Sequence, residues 1–535
     1  QEQTQSASRT WDRGEGAEGH RRTLVVGTGR MTERNPDMGG VVVRRPNILL
    51  ITLDQWRGDC LGSAGHLVVE TPNLDRLAAE GVRFNSHYSQ TAPCGPSRAS
   101  LLTGTYQHVH RSVQNGTPLD ARFTNVALEA RAAGYDPLLF GHTDTTVDPR
   151  TVSDDDPRLE YYEGALPGFR VVLDLPEDRD AWYRWLEERG HDVSDRERFL
   201  RPRSDMATPE GRGASWPPPP FAADETETAF LVGEVIEELE RLEDDGSPWF
   251  VHASIYRPHP PFVVPEPYND LVDPASVAEP IIDEAVDDHP FLAAARSWRY
   301  TRPPLDPGDL RQLRATYYGM MAEVDAQVGR LLGALDDMGA TDDTIVVVTS
   351  DHGEMLGDHG LMGKLGFFDQ AFHIPLVIRY PPVTGNSAGT GAVVEAFTEN
   401  VDVMPTLLDL AGIEVPRQCQ GSTLRPWLEG TVPDEWRTAV HWEFDFRLFA
   451  GAVGLPGHLC NLAVHRDQRG KYVHFAGWPA VFYDLEVDPA EQRPLVEHPE
   501  MAGYAASLLG WRMSTDDEVL ADHMALPGGM VVLDA

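Results

Sequence analysis

Residues 46–54 read Pro46-Asn47-Ile48-Leu49-Leu50-Ile51-Thr52-Leu53-Asp54. The apolar run from Ile48 to Leu53 is nearly unbroken, and this pattern predicts a strand that other elements cover on both faces. Asp54 stands at the carboxyl end of this strand. Apolar runs of the same kind occur at residues 249–256, 344–349 and 374–379, and they predict further strands of the same buried kind.

Helical patterns lie between these strands. The clearest has apolar residues at i, i+3 and i+4 spacing, namely Tyr317, Met321, Val324, Val328, Leu331 and Leu335. Strands that alternate with helices predict an α/β/α sandwich around a large, mostly parallel central sheet. After about residue 431 the pattern changes to short strands at 439–442 and 471–475. These predict a small C-terminal α+β domain with antiparallel strands.

The length of 535 residues exceeds the roughly 250–300 residues that a single hydrophobic core supports. We therefore expect a large domain at residues 45–431 and a small C-terminal domain with a tail at residues 432–535. Residues 1–44 are polar, rich in glycine and arginine and without periodicity. They are predicted to form an N-terminal extension.

The chain is strongly acidic, with 45 Lys and Arg residues against 84 Asp and Glu residues and a net charge of -39. Neither nucleic acid nor an anionic membrane is expected as a partner, and a small anionic substrate would need cations close to it. The four cysteines fit neither a disulfide framework nor a paired Cys-x-x-Cys site. This cysteine pattern fits a reducing compartment best. No apolar stretch approaches about 18 residues, and the longest apolar run near the start, Val41–Val43, is too short for a signal-peptide core, so we expect a cytoplasmic protein. The start at Gln1 leaves open that a segment was removed.

Residues 91–104 predict a loop that enters a short helix. Pro96 suits the first helical turn, and Gly104 suits the C-terminal stop. Cys94 would then lie at the N-terminus of the helix, where backbone N–H groups and the helix dipole stabilise negative charge. This segment is the candidate location of a nucleophile.

Cys94, Pro96, Ser97 and Arg98 together resemble the signature of the sulfatase family. Other segments that resemble the family are residues 71–78, 101–104, 256–261, 349–354, 363–364 and 402–407. From about Pro46 to Leu495 the chain looks most like the phosphonate monoester hydrolase and arylsulfatase branch of that family, within the alkaline phosphatase superfamily.

The resemblance implies an alkaline-phosphatase-like fold and a specific chemistry. Cys94 would be converted by a formylglycine-generating enzyme into a formylglycine, whose hydrated aldehyde attacks a small anionic ester. One divalent metal ion would assist the attack. A homo-oligomer, either a dimer or a tetramer, is also implied.

Acidic and histidine residues follow two of the predicted strands. Asp54 follows the first strand, and Asp351 and His352 follow the strand at residues 344–349. A parallel sheet brings the carboxyl ends of its strands to one edge, so these residues are candidate metal ligands. Oxygen and nitrogen ligands of this kind suit Mn²⁺ as well as Ca²⁺. The family match adds Gln55 and the modified Cys94 as ligands.

Other residues are candidates for binding the ester. Arg98 lies one helical turn after Cys94, so its guanidinium could reach back to the nucleophile. The family match places Lys364, Asn115 and His259 around the substrate, with Lys364 or His259 protonating the leaving group. The tripeptide Asp358-His359-Gly360 repeats Asp351-His352-Gly353, but it does not directly follow a strand and is interpreted as loop structure.

His142 and Asp144 depart from the family pattern. Tyr and Thr would be expected there in the phosphonate hydrolases, and Lys and His in ordinary sulfatases. His142 could remove a proton from the intermediate and help to bind the substrate, with Asp144 orienting the imidazole. This interpretation favours sulfate esters, while neutral drift in a supporting loop remains the alternative.

The sequence therefore predicts an arylsulfatase-type hydrolase that also accepts phosphonate monoesters and phosphodiesters. Two alternatives stay open. One is a phosphonate monoester hydrolase or phosphodiesterase, and the other is an inactive metal-binding or assembly protein on the same scaffold.

Overall fold

The computed structural model describes residues 45–284, 289–381, 389–521, 523–526 and 529–532. The N-terminal extension predicted at residues 1–44 lies outside the described residues. Within the described parts of the chain, every helix is too short or too polar for a membrane span. The boundary expected near residue 431 stays a prediction.

A central sheet of eight strands organises the larger part of the chain. Its strands are β1 (Asn47–Asp54), β2 (Val82–Tyr88), β3 (Pro137–Phe140), β4 (Arg170–Leu173), β5 (Phe250–Pro258), β6 (Thr344–Ser350), β7 (Leu376–Arg379) and β8 (Ala392–Glu399). They lie in the order β4-β3-β5-β1-β6-β7-β2-β8. The predicted buried strand thus occupies the middle of the sheet, between β5 and β6.

The strands pair in parallel except at β7, which runs antiparallel to β6 and β2. A parallel return needs a crossover connection, usually a helix. The connection between β6 and β7 contains only one α-helix, of four residues, at Asp369–Phe372. The prediction of a mostly parallel sheet is confirmed. Among the described strands of this sheet, β7 is the one that runs in the opposite direction.

Helices cover both faces of the sheet. The described helices are α1 (Pro72–Glu80), α2 (Cys94–Thr103), α3 (Gln107–His110), α4 (Val126–Ala132), α5 (Asp180–Glu188), α6 (Glu227–Asp245), α7 (Pro290–Ser297), α8 (Pro307–Met338), α9 (Asp369–Phe372), α10 (Val403–Leu410), α11 (Arg425–Leu428), α12 (Ala450–Val453) and α13 (Met501–Ser514). Alternate side chains of β1 enter two separate cores. Leu49, Ile51 and Leu53 pack with α1, α5, α6 and α8, whereas Ile48 and Leu50 pack with α2, α4, α10 and α11. This alternation explains why the strand is apolar at nearly every position from Ile48 to Leu53, and the helices on both faces confirm the α/β/α sandwich.

A second, antiparallel sheet lies in the C-terminal region. It consists of β9 (Val440–Asp445), β10 (Asn461–Arg466), β11 (Gly470–Phe475) and β12 (Val481–Asp484), in the order β12-β11-β10-β9. Trp442 and Phe444 on one face pack against Phe372 of α9, and α13 covers the other face through Leu508 and Trp511. A short hairpin follows, formed by β13 (His523–Leu526) and β14 (Gly529–Val532). The predicted small antiparallel sheet is confirmed.

Candidate active site and metal centre

Cys94 is the first residue of α2 and is 5 % exposed. The helix ends at Gly104, whose φ of 68° is the left-handed conformation that glycine adopts easily and whose N–H bonds to the carbonyl of Ser100 at 3.0 Å. The predicted loop, helix and glycine stop are therefore all present. In the first turn, the N–H of Gly95 donates to Oδ1 of Asn115 at 2.9 Å.

The three strand-end residues meet Cys94 at one edge of the sheet. Leu53 of β1 pairs with Ser350 of β6, so the residues that follow, Asp54 and Asp351, emerge side by side. Ligand atoms of Asp54, Cys94, Asp351 and His352 all lie within 4.8 Å of one another, and all four residues are buried. The Sγ atom of Cys94 is 3.2 Å from Nε2 of His352 and 4.0 Å from Oδ1 of Asp54.

This donor set fits a divalent cation. Nδ1 of His352 lies 3.1 Å from the carbonyl oxygen of Gly353, which can only accept a hydrogen bond. Nδ1 therefore carries the proton, and Nε2 keeps its lone pair and faces the centre. Two carboxylates and one imidazole nitrogen then surround the side chain of residue 94. Such a mixed set suits Mn²⁺ or Ca²⁺.

Gln55 lies beside the centre and contacts Lys364, Glu354 and Asp351. Oε1 of Gln55 accepts from Nζ of Lys364 at 3.0 Å, and the Gln55 amide group donates to Glu354. The Gln55 backbone N–H donates to Oδ1 of Asp351 at 3.1 Å. Gln55 adopts a φ of 74°, so the backbone turns sharply directly after Asp54.

Arg98 is only 2 % exposed and connects the acidic groups. Its guanidinium donates to Oδ2 of Asp54 at 2.9 Å and to Oδ2 of Asp351 at 3.1 Å. Nε also lies 3.3 Å from Oδ2 of Asp144. The remaining donors reach the hydroxyl of Ser254 and the carbonyl of His142, both at 2.8 Å. Arg98 thus holds three carboxylates in place.

Lys364 places a cation next to Cys94. Its Nζ atom lies 3.2 Å from Sγ of Cys94. Burial lowers the pKa of Lys364, but the negative charges at Cys94 and Asp54 outweigh this effect and raise it above the usual value. The side chain therefore carries a positive charge at neutral pH, beside the place where an anionic ester would bind.

Burial separates the titration of the two aspartates. Burial, and next the charge of Asp351, raise the pKa of Asp54 to about 8. For Asp351, the charges of His352 and Arg98 overcome the effect of burial and lower the pKa. Burial, followed by the charge of Asp54, also raises the pKa of the Cys94 thiol. An unmodified Cys94 would therefore be a neutral thiol and a poor nucleophile.

His142 and Asp144 lie beside this centre. His142 is 2 % exposed, and its Nδ1 lies 3.1 Å from the carbonyl oxygen of Leu175, so Nδ1 carries the proton. Nε2 lies 3.5 Å from Oδ1 of Asp144. Burial lowers the pKa of His142, and the charge of Asp144 opposes this effect. The imidazole is thus a neutral base next to a carboxylate that Arg98 also contacts.

His259 and Asn115 occupy the rim of the site. The ring of His259 is half-buried and lies 4.7 Å from the ring of Tyr256. Burial and the charge of Lys364 lower the pKa of His259 well below its usual value. Asn115 is exposed, and its bond to Gly95 fixes it at the start of α2.

Several residues around the site were not predicted. Ser254 belongs to β5 and contacts Arg98, while Glu354 binds Gln55 and the N–H of Leu356. Glu163 lies close to His142 and Asp144. Glu354 is part of a segment that resembles the family and could have been named, but no local signal marks Ser254 or Glu163. Asp358 pairs with Arg57 at 2.8 Å and Arg314 at 3.1 Å, so it supports its loop through ion pairs.

Comparison with known proteins agrees with this geometry. Residues 46–413 match the model of the family described as Sulfatase, and residues 357–513 match the one described as N-sulphoglucosamine sulphohydrolase, C-terminal. The multifunctional alkaline phosphatase superfamily protein PehA of Trinickia caryophylli is 39% identical, over 91% of this chain and 99% of its own. An arylsulfatase of Clostridium perfringens is 29% identical over 91% of this chain and 98% of its own.

Among solved structures, the phosphonate monoester hydrolase of Agrobacterium radiobacter superimposes with a TM-score of 0.84 at 45% identity, covering 92% of this chain and 100% of its own. The chain therefore belongs to the sulfatase family, within the alkaline phosphatase superfamily. The prediction of an ester hydrolase of the sulfatase and phosphonate monoester hydrolase type is confirmed. The family implies a metal ion and a formylglycine, and the residues around Cys94 fit both.

Proposed function

We propose that this enzyme hydrolyses sulfate monoesters of the arylsulfatase type and also accepts phosphonate monoesters and phosphodiesters. The observation that carries the proposal is the position of Cys94, which begins a helix and faces Asp54, His352 and Lys364. A nucleophile, a cation site and an ammonium group thus converge on one point.

The charge of the site supports a substrate with a single negative charge. Arg98 is already engaged by Asp54, Asp144 and Asp351, whereas Lys364 contacts Cys94 and Gln55 and is available to an anionic substrate. A sulfate monoester and a phosphonate monoester each carry one negative charge on a tetrahedral centre. A dianionic phosphate monoester would bring a second charge close to buried carboxylates.

The metal ion and the formylglycine would supply two kinds of chemistry. Asp54, Gln55, Asp351, His352 and residue 94 would hold one Mn²⁺ or Ca²⁺, which acts as a Lewis acid and favours ionisation of a nearby hydroxyl. Formylglycine at residue 94, made by a formylglycine-generating enzyme, would supply a geminal pair of hydroxyls, of which one attacks and the other allows release by C–O cleavage.

The side chains of the chain bind the ester and move its protons. Lys364 and the amide of Asn115 hold the non-bridging oxygens of the ester, while Arg98 fixes the carboxylates behind residue 94. Lys364 or His259 protonates the departing alcohol or phenol. Of the two, Lys364 is the group that is positively charged at neutral pH, because the lowered pKa of His259 leaves this imidazole neutral. His142, whose Nε2 keeps a lone pair, accepts the proton that must leave before release.

The second candidate is a phosphonate monoester hydrolase, and the 45% identity to an enzyme of that name favours it. Measuring kcat/KM for an aryl sulfate and for a phenyl phosphonate monoester distinguishes the two. A higher value for the sulfate supports the first proposal, and a higher value for the phosphonate overturns it in favour of the second.

Mass spectrometry tests the alternative that the chain is an inactive metal-binding protein on the same scaffold. Conversion of the thiol to the aldehyde lowers the mass of the peptide that contains Cys94 by about 18 Da. A peptide from the native host that keeps the full thiol mass would contradict the formylglycine route.

We also propose a cytoplasmic location and a dimer or tetramer. The four free cysteines support a reducing compartment. Light scattering after size exclusion measures the oligomeric state, and a monomer would contradict this part of the proposal.

A further inference from the structure

A second group of ligand-type side chains lies beside the proposed metal centre. It consists of His142, Asp144 and Glu163, whose ligand atoms lie within 4.8 Å of one another. All three residues are buried, with exposures of 2 %, 7 % and 7 %. None of them belongs to the set around Asp54 and Asp351.

The imidazole of His142 is oriented as a ligand would be. Its Nδ1 proton is directed to the carbonyl oxygen of Leu175 at 3.1 Å, which leaves the lone pair of Nε2 facing Oδ1 of Asp144 at 3.5 Å. A lone pair and a carboxylate oxygen repel each other unless a proton or a metal cation lies between them, and a metal ion can bind both atoms at once. Histidine ligands of metals show the same arrangement, with the second nitrogen donating to a backbone carbonyl.

Glu163 is held in place by the backbone next to it. The carbonyl of Gly164 accepts from the N–H groups of Thr143 and Thr145 at 3.3 and 3.0 Å. A Cβ atom on Gly164 would lie 2.6 Å from the carbonyl oxygen of Thr145, so only glycine allows this approach. One oxygen of Glu163 accepts from the N–H of Glu177 at 2.9 Å. The carboxylate is therefore fixed beside His142 and Asp144 by the fold.

We infer that His142, Asp144 and Glu163 form a second cation site, which takes a divalent ion that accepts nitrogen and carboxylate ligands, such as Zn²⁺. The charge balance favours this site. Asp54, Asp144 and Asp351 all contact Arg98, and Glu163 adds a further buried carboxyl group beside Asp144. A second cation would offset part of this concentrated negative charge.

The inference goes beyond the proposed function and uses the same lone pair of His142. A cation bound to Nε2 prevents this nitrogen from accepting a proton. If His142 is the base, zinc at the second site should therefore slow turnover.

The test counts zinc ions bound to the full-length chain. Protein stripped with a chelator is dialysed against micromolar zinc, and bound metal is measured by inductively coupled plasma mass spectrometry. Wild type should bind two zinc ions per chain, and Glu163→Gln should bind one. The affinity of the second site for zinc should be about 100-fold lower in Glu163→Gln than in wild type. Glu160→Gln is the matched control, because Glu160 is exposed and lies outside the cluster, and it should still bind two.

Asp351→Asn separates this inference from the proposed function. This substitution removes a ligand of the first centre. The variant should still bind one zinc ion, at the second site, which is the ion that Glu163→Gln loses. A wild-type protein with one ion, or a Glu163→Gln protein with two, would overturn the second site.

A zinc-edge anomalous map of wild-type crystals shows whether zinc occupies the second site, and it does not depend on the folding of any variant. The second site requires a peak about 2.0–2.1 Å from Nε2 of His142, and a map without it refutes the site. Zinc that binds there without slowing turnover contradicts the role of His142 as base and leaves the second site standing.

Discussion

Replacing Arg98 with lysine tests how the charges of the centre are held together. The guanidinium meets five acceptors: the carboxylates of Asp54, Asp144 and Asp351, the hydroxyl of Ser254 and the carbonyl of His142. A lysine ammonium keeps the positive charge but has three donors at one nitrogen. At least two of the five acceptors therefore lose their partner in Arg98→Lys.

The expected loss of stability follows from this count. A buried acceptor left without a partner costs roughly 1–3 kcal/mol, and more when it is charged. Breaking a buried ion pair costs about 3–5 kcal/mol. Because Arg98 is 2 % exposed, water cannot replace the lost bonds. We expect the free energy of unfolding to fall by about 3 kcal/mol in Arg98→Lys.

Urea unfolding followed by circular dichroism, in the presence of a chelator, measures this difference. The matched control is Arg76→Lys, since Arg76 is 40% exposed and pairs with Asp336 and Glu80 at the surface. The control should lose less than about 1 kcal/mol. If Arg98→Lys loses no more than the control, Arg98 does not hold the three carboxylates together and the reasoning fails.

Three further predictions follow from the site and the core. Cys94→Ser should lose multiple turnover with an aryl sulfate, because serine lacks the second hydroxyl that C–O cleavage needs; sustained turnover at the wild-type rate would rule out the formylglycine route. A chelator should lower the melting temperature of wild type, by an amount equivalent to about 2.7 kcal/mol if the metal had been present at 100 times its Kd, and should lower that of Asp351→Asn by less, because this variant lacks a ligand of the first centre; equal shifts in both would place the metal outside that centre. Burial lowers the pKa of His110 to about 3, so this residue stays neutral in the folded state while the unfolded state takes up a proton below its pKa of about 6.5. The free energy of unfolding should therefore fall by about 2 kcal/mol per such histidine between pH 7 and pH 5. In His110→Gln this fall should be smaller by about 2 kcal/mol. Identical pH profiles of stability in wild type and variant would contradict the lowered pKa of His110.

The parts of the fold that could be predicted are those with strong local patterns. β1 and β6 are apolar at consecutive positions because each lies in the middle of the sheet between two cores. Their carboxyl ends led directly to Asp54, Asp351 and His352. The segment from Cys94 to Gly104 was predicted equally well, since a proline in the first turn and a terminal glycine define a helix locally.

Other features depend on contacts between distant segments and left no local signal. β3 and β4 have four residues each, which is too short for a periodic pattern. The direction of β7 depends on how the connection from β6 returns to the sheet. The number of partners of Arg98 was also hidden, because Ser254, Asp144 and Asp351 come from three separate parts of the chain.

The charge state of the aspartate pair links the fold to metal binding. With Asp54 at a pKa of about 8 and Asp351 below its usual value, the site without metal holds one proton near neutral pH. A divalent cation replaces that proton and removes the repulsion between the two carboxylates. Metal binding should therefore release a proton below about pH 8, and affinity should rise with pH over this range. Burial at this edge of the sheet therefore raises the pKa of Asp54 and, for the same reason, favours binding of a cation between the two carboxylates.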